Sequence, residues 1–115
     1  HRRLMMIKVK VIQTGERIEG IEVSGHSGYA DAGADIVCSA VSTAMFLSLG
    51  LIEKVCPKYD FTSDENNAFM NLKILESNDL TEMVLENLVE SLEGISSDYA
   101  DYLQVKTEKG GKSSC

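Results

Sequence analysis

The segment from Ile36 to Val55 limits the fold more than any other, because it is long and mostly apolar in a chain of only 115 residues. Polar and charged side chains interrupt it, and each would be expensive in lipid. They are Ser39, Ser42, Thr43, Ser48, Glu53 and Lys54. The segment is therefore predicted to be a buried helix and not a membrane span.

Apolar residues recur in this segment every three or four positions, which is the spacing of one helix face. Others lie on the remaining faces, namely Ile36, Met45, Phe46, Leu47 and Leu49. A helix that is apolar nearly all round is central in its fold or supplies a subunit interface, and we predict both, with a homodimer as the consequence. Asp35 is a suitable N-cap, and Pro57 ends the helix.

Alternating apolar residues predict strands on both sides of this helix. The first two cover residues 7–13 and 18–24, with an irregularity at Gly20. The stretches "KYDFTS" and "AFMNLKILE" flank the polar turn "DENN" and predict a hairpin. The stretch "LQVKT" predicts a last strand.

A second helix is predicted from Leu80 to about Tyr99. Asp79 followed by Glu82 has the spacing of a capping box. Its predicted inner stripe is Leu80, Val84, Leu88, Leu92, Ile95 and Tyr99.

The resulting order, ββαββα(β), predicts a small α/β (α+β) protein. It has a mixed β-sheet, two main helices, and one central, largely buried helix. The loops are too short for a second domain, so residues 6–108 are predicted to form one. Residues 1–5 are interpreted as a tag or start remnant, and residues 109–115 as a flexible tail.

Charge and composition exclude several classes of function. The formal net charge is −7 and the isoelectric point is near 4.7. Binding to nucleic acid is therefore not expected, whereas a basic protein partner would suit the acidic surface, which can also serve solubility alone. The absence of a secretory leader pattern predicts a cytoplasmic chain without a membrane anchor.

Cysteine and histidine usage predicts neither disulfides nor a metal site. Cys38, Cys56 and Cys115 make an odd number without C-x-x-C spacing, which favours reduced thiols. His26 is the only histidine after position 1, so paired-histidine metal motifs are impossible. No cofactor is expected.

The stretch "GHSGYADAGADIVCSAVS", residues 25–42, carries the chemistry-bearing residues. Its glycines, Gly25, Gly28 and Gly33, fit neither a nucleophile elbow nor a dinucleotide fingerprint. The tail "GGKSS" lacks the upstream glycine of a P-loop. What remains is His26 and Cys38, joined by a glycine-containing loop.

If Asp35 caps the helix, Cys38 lies in its first turn, where unpaired amides and the helix dipole favour a thiolate. His26 could then transfer the proton, and the amides of Val37, Cys38 and Ser39 could stabilise an oxyanion. The plainer interpretation remains open, because a single cysteine on an apolar helix is usually a packing residue. Asp35 can be only a cap, and the glycines can serve only to permit positive φ.

The same stretch resembles the signature of the ribosomal-processing cysteine protease family, also called Prp or YsxB-like. Members show a Gly-His pair, here Gly25-His26, then a variable glycine-containing loop, here residues 27–32. A Gly-x-Asp-Ile-Val-Cys element follows, here residues 33–38. The predicted elements fit that family over roughly residues 6 to 106.

The resemblance implies a dimeric α/β cysteine protease that removes a short N-terminal extension from a bacterial large-subunit ribosomal protein. Carried over, Cys38 is the nucleophile, His26 is the general base and acid, and Asp35 is an acid of architectural role. The loop of residues 27–34 would be a lid that orders around peptide. The substrate would be a basic protein, which an acidic enzyme attracts.

Two other functions compete with proteolysis. One is a non-enzymatic module that binds a ribosomal protein through the same loop. The other is a thiol redox sensor, since an activated cysteine is also prone to oxidation. The nearest resolving thiol, Cys56, would lie roughly 27 Å from Cys38 along one helix, which disfavours the sensor.

Overall fold

A five-stranded mixed sheet and two helices form the fold. The computed structural model describes residues 6–25, 32–64 and 66–110, and only the backbone of residues 32–35. The elements are β1 Ile7–Thr14, β2 Arg17–Ser24, α1 Ala32–Val55, β3 Lys58–Asp64, β4 Phe69–Glu76, α2 Asp79–Asp98 and β5 Leu103–Lys109. The predicted order ββαββα(β) is confirmed, including the last strand.

The strands lie in the order β3-β4-β2-β1-β5, so β2 is central. β1 pairs with β5 in parallel, and every other pairing is antiparallel. One sheet face packs with both helices in a single apolar core, to which β1 contributes Ile7, Val9 and Val11. The opposite face carries the alternate, polar positions such as Lys8 and Lys10.

A bulge at the start of β2 keeps its apolar side chains on the core face. Ile12 of β1 pairs with Gly20 and Gln13 pairs with Ile18, so Glu19 is an extra residue on β2. Without it, Ile18 and Ile21 would point to opposite faces, because strand side chains alternate. Both are buried. The predicted irregularity near Gly20 is thus confirmed.

Helix α1 differs from the prediction in its start and in its burial. It begins at Ala32, before the predicted cap Asp35. Its buried residues are Val37, Val41, Met45, Ser48 and Ile52. The prediction of a largely buried helix is wrong, because exposed apolar residues include Phe46 at 52% and Leu47 at 68%. The sheet and α2 contact only part of its circumference, and none of the residues that the structure describes forms a third layer over the rest.

By length and hydropathy alone, residues 36–55 of α1 could cross a membrane. Core helices of soluble proteins pass the same test. Here one stripe of the helix, from Val37 to Ile52, packs into the core with the sheet.

Helix α2 is capped by Asn78 and not by Asp79. The Asn78 Oδ1 atom accepts hydrogen bonds from the Thr81 amide at 2.8 Å and the Thr81 hydroxyl at 2.7 Å. Its Nδ2 atom donates to the Val55 carbonyl at 2.8 Å. This one side chain therefore caps α2 and ties it to the end of α1.

The predicted capping box is wrong because Glu82 has other partners. Its carboxylate accepts hydrogen bonds from the Ser77 hydroxyl at 2.5 Å and the Ile18 amide at 3.3 Å. Arg17 lies 3.7 Å from the same carboxylate. Glu82 thus links the start of α2 to β2 across the core edge.

The inner stripe of α2 is rotated from the predicted one. Thr81, Leu85, Leu88 and Leu92 are buried. Leu80 is 53% exposed and Tyr99 is 39% exposed, so the prediction is wrong at both ends and right at Leu88 and Leu92.

Replacing the observed cap tests this part of the fold. Asn78→Ala is expected to lower the free energy of unfolding by about 2 kcal/mol, the upper range for an N-cap, because the bond to Val55 is lost as well. Asp79→Ala, the matched control, is expected to cost under about 1 kcal/mol, the size of a charge–dipole effect. Urea denaturation measures both, and the reverse ranking would show that Asp79 is the functional cap.

Candidate active site

Cys38 lies on α1, where its side chain is partly buried against the core. Because α1 begins at Ala32, Cys38 is the seventh residue of the helix and not in its first turn. The predicted position near N3 is therefore wrong. The helix dipole acts mainly within the first turn, so it activates this thiol less than the sequence suggested.

The earlier helix start also changes the predicted oxyanion donors. In an α-helix each interior amide donates to the carbonyl four residues before it. The amides of Val37, Cys38 and Ser39 now have residues 33–35 of the same helix as acceptors. The Val37 side chain is fully buried in the core, and Ser39 is exposed. The physical reason for assigning an oxyanion role to these amides is therefore lost.

Strand β3 runs back along α1 and shows which end of the fold holds Cys38. The Phe46 and Phe61 rings meet edge to face, with centroids 6.1 Å apart. From Phe46 to Cys38 the helix rises about 12 Å. From Phe61 to Asp64 the strand rises about 10 Å in the same direction. Cys38 is therefore near the level of the β3–β4 turn.

The β3–β4 turn is organised by one carboxylate. Asp64 accepts hydrogen bonds from the amides of Asn66 at 3.0 Å and Asn67 at 3.3 Å, and from the Asn67 side chain at 2.7 Å. The hydrogen bond from the Asn67 side chain is the main reason that the pKa of Asp64 lies below its ordinary value. Ala68, which closes the turn, has a φ of 51°.

Strand β2 ends beside this turn and leads directly to residue 26. The Gly25 amide donates to the Ala68 carbonyl at 3.0 Å. Gly25 has a φ of 84°, and a Cβ atom there would lie 2.7 Å from the Met6 carbonyl oxygen. The strand that leads to His26 and the helix that carries Cys38 thus come to one end of the molecule.

The predicted loop residues fall into three groups. Gly25 has a defined position, and Gly33 lies in the helical backbone of α1, so the loop is shorter than predicted. His26 and Gly28 lie outside the described residues, as does the side chain of Asp35.

A groove of about 900 Å³ runs between α1 and α2. Ala40, Ala44 and Leu47 line it from α1, and Leu88 and Ser91 line it from α2. Ala40 is two residues from Cys38, which places it on roughly the opposite flank of the helix at about 100° per residue. Cys38 does not line this groove, and sequence periodicity gave no sign of it.

The hydrogen bonds of the Cys56 thiol give it a structural role. Its thiol donates to the carbonyls of Glu76 at 3.2 Å and Lys58 at 3.4 Å, which fixes the connection from α1 to β3. Among the described residues, no group of three or more His, Cys, Asp or Glu side chains could hold a metal ion.

A family model described as cysteine protease Prp matches residues 6–104, which is most of the chain. The chain belongs to the Prp family. The resemblance inferred from residues 25–42 is therefore confirmed, and the family is one of cysteine proteases that act in ribosomal processing.

Bacterial relatives match over nearly their whole length. The ribosomal processing cysteine protease Prp of Bacillus subtilis is 27% identical over 111 residues, covering 89% of this chain and 97% of the relative. The Staphylococcus aureus protein of the same name is 24% identical over 103 residues, covering 87% and 97%.

Solved structures share the fold. S. aureus Prp in complex with a substrate peptide has a TM-score of 0.78 at 21% identity, covering 90% of this chain and all of that one. The same protease with a covalently linked product peptide has a TM-score of 0.80 at 24% identity and the same coverage. A Streptococcus mutans protein reaches 0.82 at 21% identity, covering 91% and 96%. At these identities the similarity establishes the fold alone.

Proposed function

We propose that this member of the Prp family is a cysteine endopeptidase with a Cys38–His26 dyad. Its substrate is the precursor of a bacterial large-subunit ribosomal protein, from which it removes a short N-terminal extension. The observation that supports the proposal is that the exit of β2 at Gly25, which precedes His26, lies beside the β3–β4 turn, near whose level α1 carries Cys38. The S. aureus relative with a covalently linked product peptide supports covalent catalysis.

The dyad works through an acyl-enzyme. The Cys38 thiolate attacks the scissile carbonyl carbon, and the carbonyl electrons move to oxygen. His26, protonated as it takes the thiol proton, gives that proton to the leaving amine as the C–N bond breaks. Water, deprotonated by His26, then hydrolyses the thioester and releases the second product.

The position of Cys38 on α1 supports activation of its thiol by the His26 imidazole and not by the helix start. Because six helical residues precede Cys38, the thiol gains less from the dipole than a first-turn thiol would. A nearby imidazolium favours the thiolate directly. Asp35, in the first turn of α1, keeps the architectural role proposed for it, because carboxylates are stabilised at helix starts.

Charge supports a basic substrate, and the role of the family in ribosomal processing supports a cytoplasmic setting. The chain carries a net charge of −7, and α2 contains no lysine or arginine. Its carboxylates are Asp79, Glu82, Glu86, Glu90, Glu93 and Asp98. Such a surface attracts a positively charged precursor and raises its association rate at low ionic strength.

The uncovered face of α1 supports a homodimer. Ile36, Phe46, Leu47 and Leu51 are all about half exposed or more. Leu80 and Met83 of α2 are also exposed. Covering apolar side chains of this size with a second copy removes them from water, and that removal drives most protein association.

The nucleophile is tested by cleavage of the extended precursor. Cys38→Ala is expected to lower kcat/KM at least about a thousandfold, because loss of a nucleophile removes the covalent route. Cys56→Ala, the matched control, is expected to keep kcat/KM within about threefold, since its thiol only bonds backbone carbonyls. Mass spectrometry of the products measures both rates. Equal cleavage by Cys38→Ala and the unchanged chain would refute the assignment.

The dimer is tested by placing a charge on α1. Leu47→Glu is expected to convert a dimer into a monomer, because an unpaired carboxylate would be buried at the interface. Leu75→Glu is the matched control, since Leu75 is 50% exposed on the opposite face of the sheet. Sedimentation velocity gives the masses. A dimer that survives Leu47→Glu, or one that only Leu75→Glu disrupts, would place the interface elsewhere.

A further inference from the structure

Gly25 is held between two neighbouring strands just beyond the end of β2. The last paired residue of β2, Ser24, is opposite Lys8 of β1 and Phe69 of β4. One residue later, the Gly25 amide donates to the Ala68 carbonyl at 3.0 Å. On the other side, the Met6 carbonyl oxygen lies 2.7 Å from the place of a Cβ atom.

The Met6 carbonyl cannot easily turn away from Gly25. It belongs to the same planar peptide unit as the Ile7 amide. That amide donates to the Tyr102 carbonyl at 2.9 Å, and the Tyr102 amide donates in turn to the Tyr99 carbonyl at 2.9 Å. Rotating the Met6 carbonyl would break the first of these bonds at the start of the β1–β5 ladder.

The Ala68 carbonyl is fixed as well. Among the described residues, Ala68 is the one non-glycine residue with a positive φ, 51°. The turn before it is held by the hydrogen bonds to Asp64. A non-glycine residue in the left-handed region persists only where its surroundings impose it.

We infer that Gly25 is a positioning residue for the dyad, and that the fixed carbonyls of Met6 and Ala68 set the direction in which the chain leaves β2. This inference rests on the proposed function. Only glycine fits, because the site requires a φ of 84° and leaves no room for a Cβ atom. Gly25 therefore supplies a rigid exit and not the flexibility expected from a glycine-containing loop.

The rigid exit matters because His26 is the next residue. Any rotation at Gly25 is passed directly to the backbone that carries the imidazole. A displacement of about 1 Å between reacting groups can cost about a hundredfold in rate. Gly25 thus contributes through His26 and does not itself touch the substrate.

Gly15 provides a matched control. It lies in the β1–β2 turn, has a φ of 62°, and has nothing within 4 Å of an added Cβ atom. Gly15→Ala and Gly25→Ala therefore place the same methyl group at positive φ, but only the second variant presses on a neighbouring strand. Differences between them report the clash and its consequences for residue 26.

Two readouts separate positioning from general destabilisation. The first is kcat and KM for precursor cleavage, measured at a temperature where circular dichroism shows both variants folded. The second is the NMR titration of the His26 imidazole in the presence and absence of the Cys38→Ala change. A thiolate close to the ring raises the imidazole pKa by about one unit or more, and Cys38→Ala removes that shift.

Gly25→Ala is expected to lower kcat about a hundredfold and to keep KM within about threefold. In the Gly25→Ala chain, adding Cys38→Ala is expected to leave the His26 titration unchanged. Gly15→Ala is expected to keep kcat within about twofold, and in that chain Cys38→Ala is expected still to shift the His26 titration. Equal effects of the two variants, or normal kcat in folded Gly25→Ala, would overturn the inference.

A second variant decides the matter if Gly25→Ala does not fold. Ala68→Pro is incompatible with a φ of 51°, so it changes the backbone of the β3–β4 turn. It therefore displaces the Ala68 carbonyl, which accepts the hydrogen bond from the Gly25 amide. A loss in kcat of tenfold or more in the folded protein supports the inference, and unchanged kcat overturns it.

The dyad and the positioning role fail in different ways. If Cys38→Ala does not shift the His26 titration in a chain with Gly25 intact, the dyad is wrong and the positioning role fails with it. If Cys38→Ala shifts the His26 titration both with Gly25 intact and in the Gly25→Ala chain, the dyad is supported and only the positioning role is wrong.

Discussion

The pairing of β2 with a strand on each side is the constraint on which the rest of the structure depends. β1 pairs along the length of β2 and β4 pairs with it from Gly20 to Ser24, so the end of β2 cannot move without distorting two ladders. At its start the bulge at Glu19 keeps Ile18 and Ile21 in the core. At its end Gly25 meets backbone on both sides, which fixes the point at which the chain leaves β2.

A two-layer fold gives α1 two roles. Its inner stripe, from Val37 to Ile52, packs with the sheet and places Cys38 on the flank beside that core. Within the described part of the chain no layer covers its outer face, which exposes Phe46 and Leu47. The apolar surplus that resembles a membrane span in composition is thus explained by two different neighbours, the sheet inside and, in the proposed dimer, a second copy outside.

The sequence predicted the elements whose periodicity reflects one buried face. The alternation in β1 and the apolar run of α1 identified both correctly, and the motif from Gly25 to Cys38 identified the family. The predictions failed where several residues offered the same local chemistry. Asn78 and Asp79 are both residue types that cap helices well, and the local sequence does not report the contact of Asn78 with Val55.

Long-range contacts explain the other differences. Asp31 and Asp35 are both residue types that cap helices, so the local sequence does not distinguish a start of α1 at Ala32 from one near Asp35. The burial of Met45 and the exposure of Leu51 depend on where α2 packs. The close approach of Met6 to Gly25 joins residues nineteen positions apart, and no local pattern reports it.

In the proposed dyad an imidazole at the exit of β2, and not the start of α1, makes the Cys38 thiol reactive. The most direct measurement is the rate of alkylation of Cys38 by iodoacetamide across pH, in chains with Cys56→Ser and Cys115→Ser, with and without His26→Ala. The pKa of Cys38 is expected to lie well below about 8.5, the value of an ordinary thiol, and to return toward that value in His26→Ala. Identical titrations with and without His26 would contradict it.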